Sequence, residues 1–304
     1  MTDATAVADY VRARRAEVDA RLATLLPSPP DCPAPVADAM RYSLTAGGKR
    51  LRPVLCLASA EAVGGSTAAV LPAACAIELI HTYSLVHDDL PAMDDDSMRR
   101  GRPTLHVVAG EGMAILAGDG LLTEAFHVLA GLQGDPVRVL RALQLIAAAA
   151  GPIGMVGGQA IDLACVTPDP QGHLAPPLDG AGLAAMHAKK TGALIRAAAA
   201  AGAVLGGGSE AQIAAIDAAG TEFGLAFQIV DDILDVEGDA AELGKSPGKD
   251  AAAGKPTYPA LYGLARSREM AEACIARAAD TLSRAGMADS WLLGIGRWIV
   301  DRRN

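Results

Sequence analysis

Five aspartates, Asp88, Asp89, Asp94, Asp95 and Asp96, fall within nine residues of the stretch LVHDDLPAMDDDSMRRG, and two arginines, Arg99 and Arg100, follow almost at once. A second acidic group, Asp231, Asp232 and Asp235, lies in FQIVDDILDVEGD. Asp231 and Asp235 are one helical turn apart and share a face, with Gln228 three residues before Asp231. An acidic run is ordinarily a solvated helix surface. Here both clusters close strongly apolar segments, where solvated faces are not expected. Carboxylates crowded in such a setting repel, and some must protonate unless cations are present. Mg²⁺ meets that need, because it takes oxygen ligands and binds through one or two carboxylates plus substrate phosphates. The arginines add forked donors that match phosphate oxygens. The chemistry written in these residues is a metal clamp on a diphosphate.

Helices must position these groups. Apolar residues make up 51% of the 304 positions and aromatic residues only 3%, with Ala and Leu dominant, a composition that favours helix over strand. ADYVRARRAEVDARLATLL reads as an amphipathic surface helix, broken by PSPPDCPAP. VADAMRYSLTAGG reads as a second helix, stopped at Gly47 and Gly48. The segments LRPVLCLASAEAV and AAVLPAACAIELIHTYSLVHDD are apolar on most sides, as buried helices are. Further helices follow up to EAQIAAIDAAGTEFGLAFQIVDDILDVEGD, then a Gly- and Lys-rich loop and the C-terminal helices. No alternating β pattern, fixed repeat or change in composition divides the chain. The expectation is one all-α domain over residues 1–304, a large antiparallel helix bundle around a central cavity.

The net charge of −9 and the lack of basic runs argue against nucleic acid and against an anionic membrane surface. Five widely spaced cysteines with no CxxC pair argue for reduced thiols and against zinc. The longest run free of strongly polar residues, LIAAAAGPIGMVGG, is too short to span a bilayer. These features lead to the expectation of a cytoplasmic protein with no membrane insertion.

The ordered set GGKRLRP, HTYSLVHDDLPAMDDDSMRRGRPTLH, GGQAID, KTGALIRAA, FQIVDDILDVEGD and GKSPGKD…GKPTYPAL resembles the trans-isoprenyl diphosphate synthases, most nearly the bacterial farnesyl diphosphate type. The resemblance runs from Gly47 to the end. It implies a homodimer of helix bundles and a head-to-tail condensation. An allylic diphosphate ionises, isopentenyl diphosphate attacks the cation, and a proton is lost. By this resemblance Asp88, Asp89, Asp94, Asp231 and Asp235 match ligands of three Mg²⁺ ions per site. Arg99, Lys190, Lys245 and Lys255 match cations that grip the allylic diphosphate. Gly48, Lys49, Arg52, His81 and Arg100 match the metal-free isopentenyl diphosphate site. Thr191 and Gln228, with the main-chain carbonyl of Lys190, match dipoles that face the allylic cation. Gln159 and Asp162 read as a structural polar pair.

Tyr83 lies five residues before Asp88, about 7.5 Å down a helix. In the family an aromatic ring at that place goes with a C15 product. Farnesyl diphosphate is therefore the expected product, with geranyl or geranylgeranyl diphosphate as the alternative. A terpene cyclase would share the acidic motif, but GGKRLRP supplies a second phosphate site that a cyclase does not need. A non-catalytic synthase subunit would be expected to lack an Asp cluster or the Lys190–Thr191 pair, and both are intact.

Overall fold

The computed structural model describes residues 4–168, 170–237 and 256–302. Within them the chain is helical almost throughout. The N-terminal half comprises α1 (Ala4–Leu22), α2 (Ala34–Leu44), α3 (Leu51–Ala62), α4 (Thr67–Asp88), α5 (Leu105–Ala109) and α6 (Glu111–Ala130). After these come α7 (Pro136–Ala150), α8 (Met155–Val166), α9 (Gly180–His187), α10 (Ala193–Leu205) and α11 (Glu210–Glu237). The described chain ends with α12 (Tyr258–Tyr262), α13 (Leu264–Arg284) and α14 (Trp291–Asp301). The all-α expectation holds. Among the described residues there is also a two-stranded hairpin, β1 (Met98–Arg99) and β2 (Arg102–Pro103), pairing Met98 with Pro103 and Arg99 with Arg102.

The Ala-rich composition explains how the helices pack. α10 runs against α3, α7 and α11, and it buries Ala197–Ala201 and Ala203 in a row. A side chain at Gly202 would collide with the Cys56 carbonyl of α3, so the two backbones touch. Small residues here replace the aromatic filling that the sequence lacks, because close backbone approach restores dense packing. One continuous apolar cluster joins α1 at Val7 to α14 at Ile299. α1 contributes Val7, Tyr10, Val11, Val18 and Leu22 to it, spaced as one helical face, as its sequence predicts.

Four stretches are long and apolar enough, by length and composition alone, to cross a membrane: Thr67–Asp88, Glu111–Ala130, Pro136–Val166 and Glu210–Glu237. Each includes scattered polar residues, so none contains a long unbroken apolar run. α4 and α11 use that surface for packing inside the bundle and end in the two acidic clusters.

Candidate functional site

α4 delivers the first cluster and stops there. Beyond Asp88 the chain turns back: the Asp94 N–H donates to the Asp88 carbonyl at 2.9 Å, and the Asp96 N–H to the Asp89 carbonyl at 3.2 Å. Asp94 therefore reaches Asp88 through a loop rather than along a helix face. Burial pushes the Asp88 carboxyl up to about 6, against the pull of Lys190 and Arg99 and with the help of Asp94 and Asp89. Asp89 is buried and held by Arg99, whose Nε donates to its two oxygens at 2.7 and 3.0 Å.

The hairpin places the arginines. Its two-residue turn, Arg100–Gly101, has φ of 52° and 73°, the left-handed pair that a tight β-hairpin requires. The Arg100 guanidinium then lies over the Gly47–Gly48 turn, donating to the Gly47 carbonyl. A Cβ on Gly48 would stand 2.6 Å from that guanidinium, which explains the glycine. Arg50, next in the same turn, is also left-handed, at 51°.

The fourth component is a break in a helix. The sequence reads LAAMHAKKTGALIRAAAAAGAVL as one helix. In the structure residues Ala188–Gly192 form a π turn between α9 and α10. Such interruptions of the regular ladder recur at functional sites. This one carries Lys190 and Thr191. Gly158 of α8 and Gly224 of α11 let it approach closely, since a Cβ at Gly158 would strike Lys190 and one at Gly224 would meet Gly192. Lys190 Nζ donates to the buried Asp162 carboxylate at 2.6 Å. The pairing expected of Asp162 with Gln159 is thus a pairing with Lys190 instead. Neither polar atom of the Gln159 amide has a hydrogen-bond partner, although both are buried.

Two cavities result. One, of about 560 Å³, is lined by Tyr83, Asp88, Ile115, Met155, Gln159 and Lys190 among mostly apolar neighbours. The other, of about 500 Å³, is lined by Gly48, Lys49, Arg99, Arg100, Gln228 and Asp231. Arg52, His81, Leu85 and Thr191 belong to both, so an apolar tunnel and a charged basin adjoin. The two acidic clusters, distant in sequence, each reach this joint space. His81 is held well below the ordinary histidine value by burial, with Arg52 and Arg100 adding to the effect, and is neutral at pH 7.

Not every expected residue faces the space. Asp235 is buried and lines neither cavity. Asp232 accepts from the Gln228 amide at 2.9 Å and from the Tyr258 N–H at 3.0 Å, fixing both. Lys245 and Lys255 lie outside the described residues. Among the described residues, no three His, Cys, Asp or Glu side chains gather closely enough to hold a metal ion by themselves. The donor set still fits Mg²⁺, which completes its shell with phosphates and water, and the burial of Asp88 among like charges leaves a deficit that a cation would fill.

Sequence reasoning missed several contributors. Arg302, after α14, stacks on Phe227 at 3.9 Å from the ring centre, donates to the Phe227 carbonyl at 2.7 Å and reaches Asp231 at 3.4 Å. Arg15 of α1 and Glu78 of α4 line the charged cavity. None carries a local sequence signal, because each acts across a long chain separation.

Residues 33–286 match the family model described as polyprenyl synthetase. The large subunit 1 of a chloroplastic heterodimeric geranylgeranyl pyrophosphate synthase from Arabidopsis thaliana is 49% identical over 257 residues, 82% of this chain and 67% of that protein. A crystal structure of a FPP/GFPP synthase from Zymomonas mobilis superposes with a TM-score of 0.85 at 37% identity, covering 98% of this chain and all of the other. A geranyltransferase from Helicobacter pylori, complexed with magnesium and isoprenyl diphosphate, gives 0.81 at 31% identity, over 96% and 95% of the two chains. The chloroplastic name of the Arabidopsis relative overturns the cytoplasmic expectation. The five cysteines are free, but reduced thiols speak only to a reducing setting and do not choose among such compartments. By family model, identity and fold together, this chain belongs to the polyprenyl synthetase family and is a prenyltransferase.

Proposed function

We propose that this chain condenses isopentenyl diphosphate head-to-tail onto allylic diphosphates, and that its main product is geranylgeranyl diphosphate. The observation that carries the reaction is the joint space itself, an apolar tunnel that opens onto a basin of arginines and aspartates. Asp88, Asp94 and Asp231 would hold Mg²⁺, with Asp89 and Asp235 behind them. Mg²⁺, when bound, supplies Lewis acidity to the departing diphosphate. Arg99 and Lys190 grip that diphosphate. Lys49, Arg52, Arg100 and neutral His81, with the bare backbone at Gly48, receive the second diphosphate without metal. Thr191 and Gln228 turn oxygen dipoles toward the allylic cation, where a dry site makes them effective. The continuous apolar cluster supports residues 1–304 acting as one synthase unit. Val107, Val108, Ile115 and Leu116 are exposed on adjacent α5 and α6, which supports a homodimer closing over them.

The name of the Arabidopsis relative supports the C20 product. A C15 product is the second reading, favoured by Tyr83. Its ring lies in the tunnel wall, 7% exposed, edge-on to His87 at 5.8 Å. Chromatography of products from the purified chain with Mg²⁺, with each allylic starter, decides between them. Turnover without isopentenyl diphosphate, or full rate in EDTA, would refute the proposed reaction. Whichever product is found, Tyr83→Ala is expected to lengthen it by at least one C5 unit, because removing a buried ring leaves a void that the tail can enter. An unchanged product would place the floor elsewhere.

A further inference from the structure

The N-terminal helix carries no recognisable motif, yet it reaches the charged basin. Arg15 of α1 lines that cavity with Gly48, Lys49, Arg52, Arg99 and Arg100. Its side chain is about half exposed and only loosely paired, with Nε 3.7 Å from Asp19 Oδ2 one turn on. The other oxygen of the same carboxylate, Oδ1, accepts from Arg50 Nε at 2.8 Å. Arg50 is tied at every end. Its two remaining nitrogens donate to buried Glu78 of α4 and to the Leu44 carbonyl of α2, both at 2.7 Å. This lattice joins α1, α2 and α4 behind the Gly47–Arg52 turn. It also holds Arg50 in a left-handed backbone conformation that side-chain-bearing residues rarely adopt, and that surrounding contacts must enforce. Arg50, fixed in this way, lines the cavity together with Lys49 and Arg52 on either side of it, so its position sets theirs. Arg100, lowered first by burial, is lowered also by the nearby charges of Arg50, Arg99 and Arg15, so Arg15 stands within electrostatic reach of the same basin.

We propose that α1 is part of the isopentenyl diphosphate site, with Arg15 as an additional cation for the incoming diphosphate and Asp19 as a positioning residue that holds the Gly47–Arg52 turn through Arg50. This rests on the assignment of that basin to isopentenyl diphosphate made above. A diphosphate bound without metal must be neutralised by side chains. A loosely paired arginine at the rim can turn to it by giving up only a weak contact with Asp19. Asp19, relieved of Arg15, then keeps its bond to Arg50.

Steady-state kinetics on the full chain with Mg²⁺ test this, each substrate varied separately. Arg15→Gln and Asp19→Asn are each expected to raise KM for isopentenyl diphosphate about 5- to 10-fold, equivalent to roughly 1 kcal/mol. kcat, KM for the allylic substrate and the melting temperature should stay near wild type. Arg15→Lys should recover most of the loss, and the Arg15→Gln effect should shrink at high salt, as for any exposed charge. Arg12→Gln, on exposed α1 surface and paired with Asp9, should change nothing. Lys49→Gln serves as the reference. If it raises KM for isopentenyl diphosphate while the α1 variants leave it unchanged, the role of α1 is refuted and the basin assignment stands. If Lys49→Gln also has no effect, the basin assignment falls and the proposal falls with it. An equal rise in KM for both substrates would likewise overturn it.

Discussion

Asp88→Asn is expected to lower kcat by about 10³-fold or more and, in the same molecule without divalent metal, to raise the melting temperature at pH 8. The two effects share one cause. The Asp88 carboxyl stands at about 6 within the fold because burial penalises its charged form and Asp94 and Asp89 add repulsion. Against an ordinary 3.8, that is a cost of ~2–3 kcal/mol for carrying the charge. The sign follows from the proton count. The folded chain holds this proton more tightly than the unfolded chain does, so stability falls as pH rises from about 4 to 6, and the full penalty is present above 6. Asparagine keeps the shape and removes the charge, so a rise on the order of 5 °C is expected at pH 8 and almost none at pH 4. Mg²⁺ should stabilise the wild type more than the variant, since a ligand that binds only the folded state adds to its stability. The catalytic loss corresponds to about 4 kcal/mol of lost transition-state stabilisation, within the range expected when a metal clamp is dismantled. Asp231→Ala should lose activity to a similar extent. Melting curves in EDTA and with Mg²⁺, beside turnover numbers, check both halves. A variant that is inactive but less stable than wild type at pH 8 would mean that Asp88 is a structural residue.

Only part of the site can be read from the chain alone. Its aspartates and several of its cations stand a few residues apart in short stretches, and local spacing is visible. Asp88, Asp94, Asp231, Lys49 and Arg52 stand out for that reason, as do α4 and α11, whose apolar text ends in acid. The apolar face of α1 was equally legible, because a helix announces its buried side every three or four residues. What is built from long-range contacts leaves no such trace. The Lys190–Asp162 bond crosses 28 residues and the Arg50–Asp19 bond crosses 31. The π turn at Lys190 packs against glycines on two other helices, contacts that its own letters do not record, so they read as ordinary helix. The cellular setting is not legible for a different reason: thiol count and charge report redox state and surface chemistry, and many compartments share both.

Arg52→Gln is expected to raise KM for isopentenyl diphosphate about 30- to 100-fold while changing kcat little. Arg52 is 7% exposed, and its Nε is buried with no hydrogen-bond partner. Burial brings the guanidinium down to about 10, with Glu78 and Asp231 opposing that shift and Arg100 adding to it. It is still charged at pH 8, so the chain carries a desolvated cation with a donor left unmet. Such a group is costly in the unliganded fold. The Arg52 side chain also lines both cavities, so a largely desolvated cation stands where an anion would bind, and charge-assisted bonds of that kind contribute about 2–3 kcal/mol. Loss of a contact made equally in the ground and transition states appears in KM rather than in kcat. Glutamine fills much of the same space without the charge, so the unliganded variant should melt no lower than wild type. A rise confined to the allylic substrate would assign Arg52 to the other diphosphate, and an unchanged KM for both would leave its buried charge without a ligand to justify it.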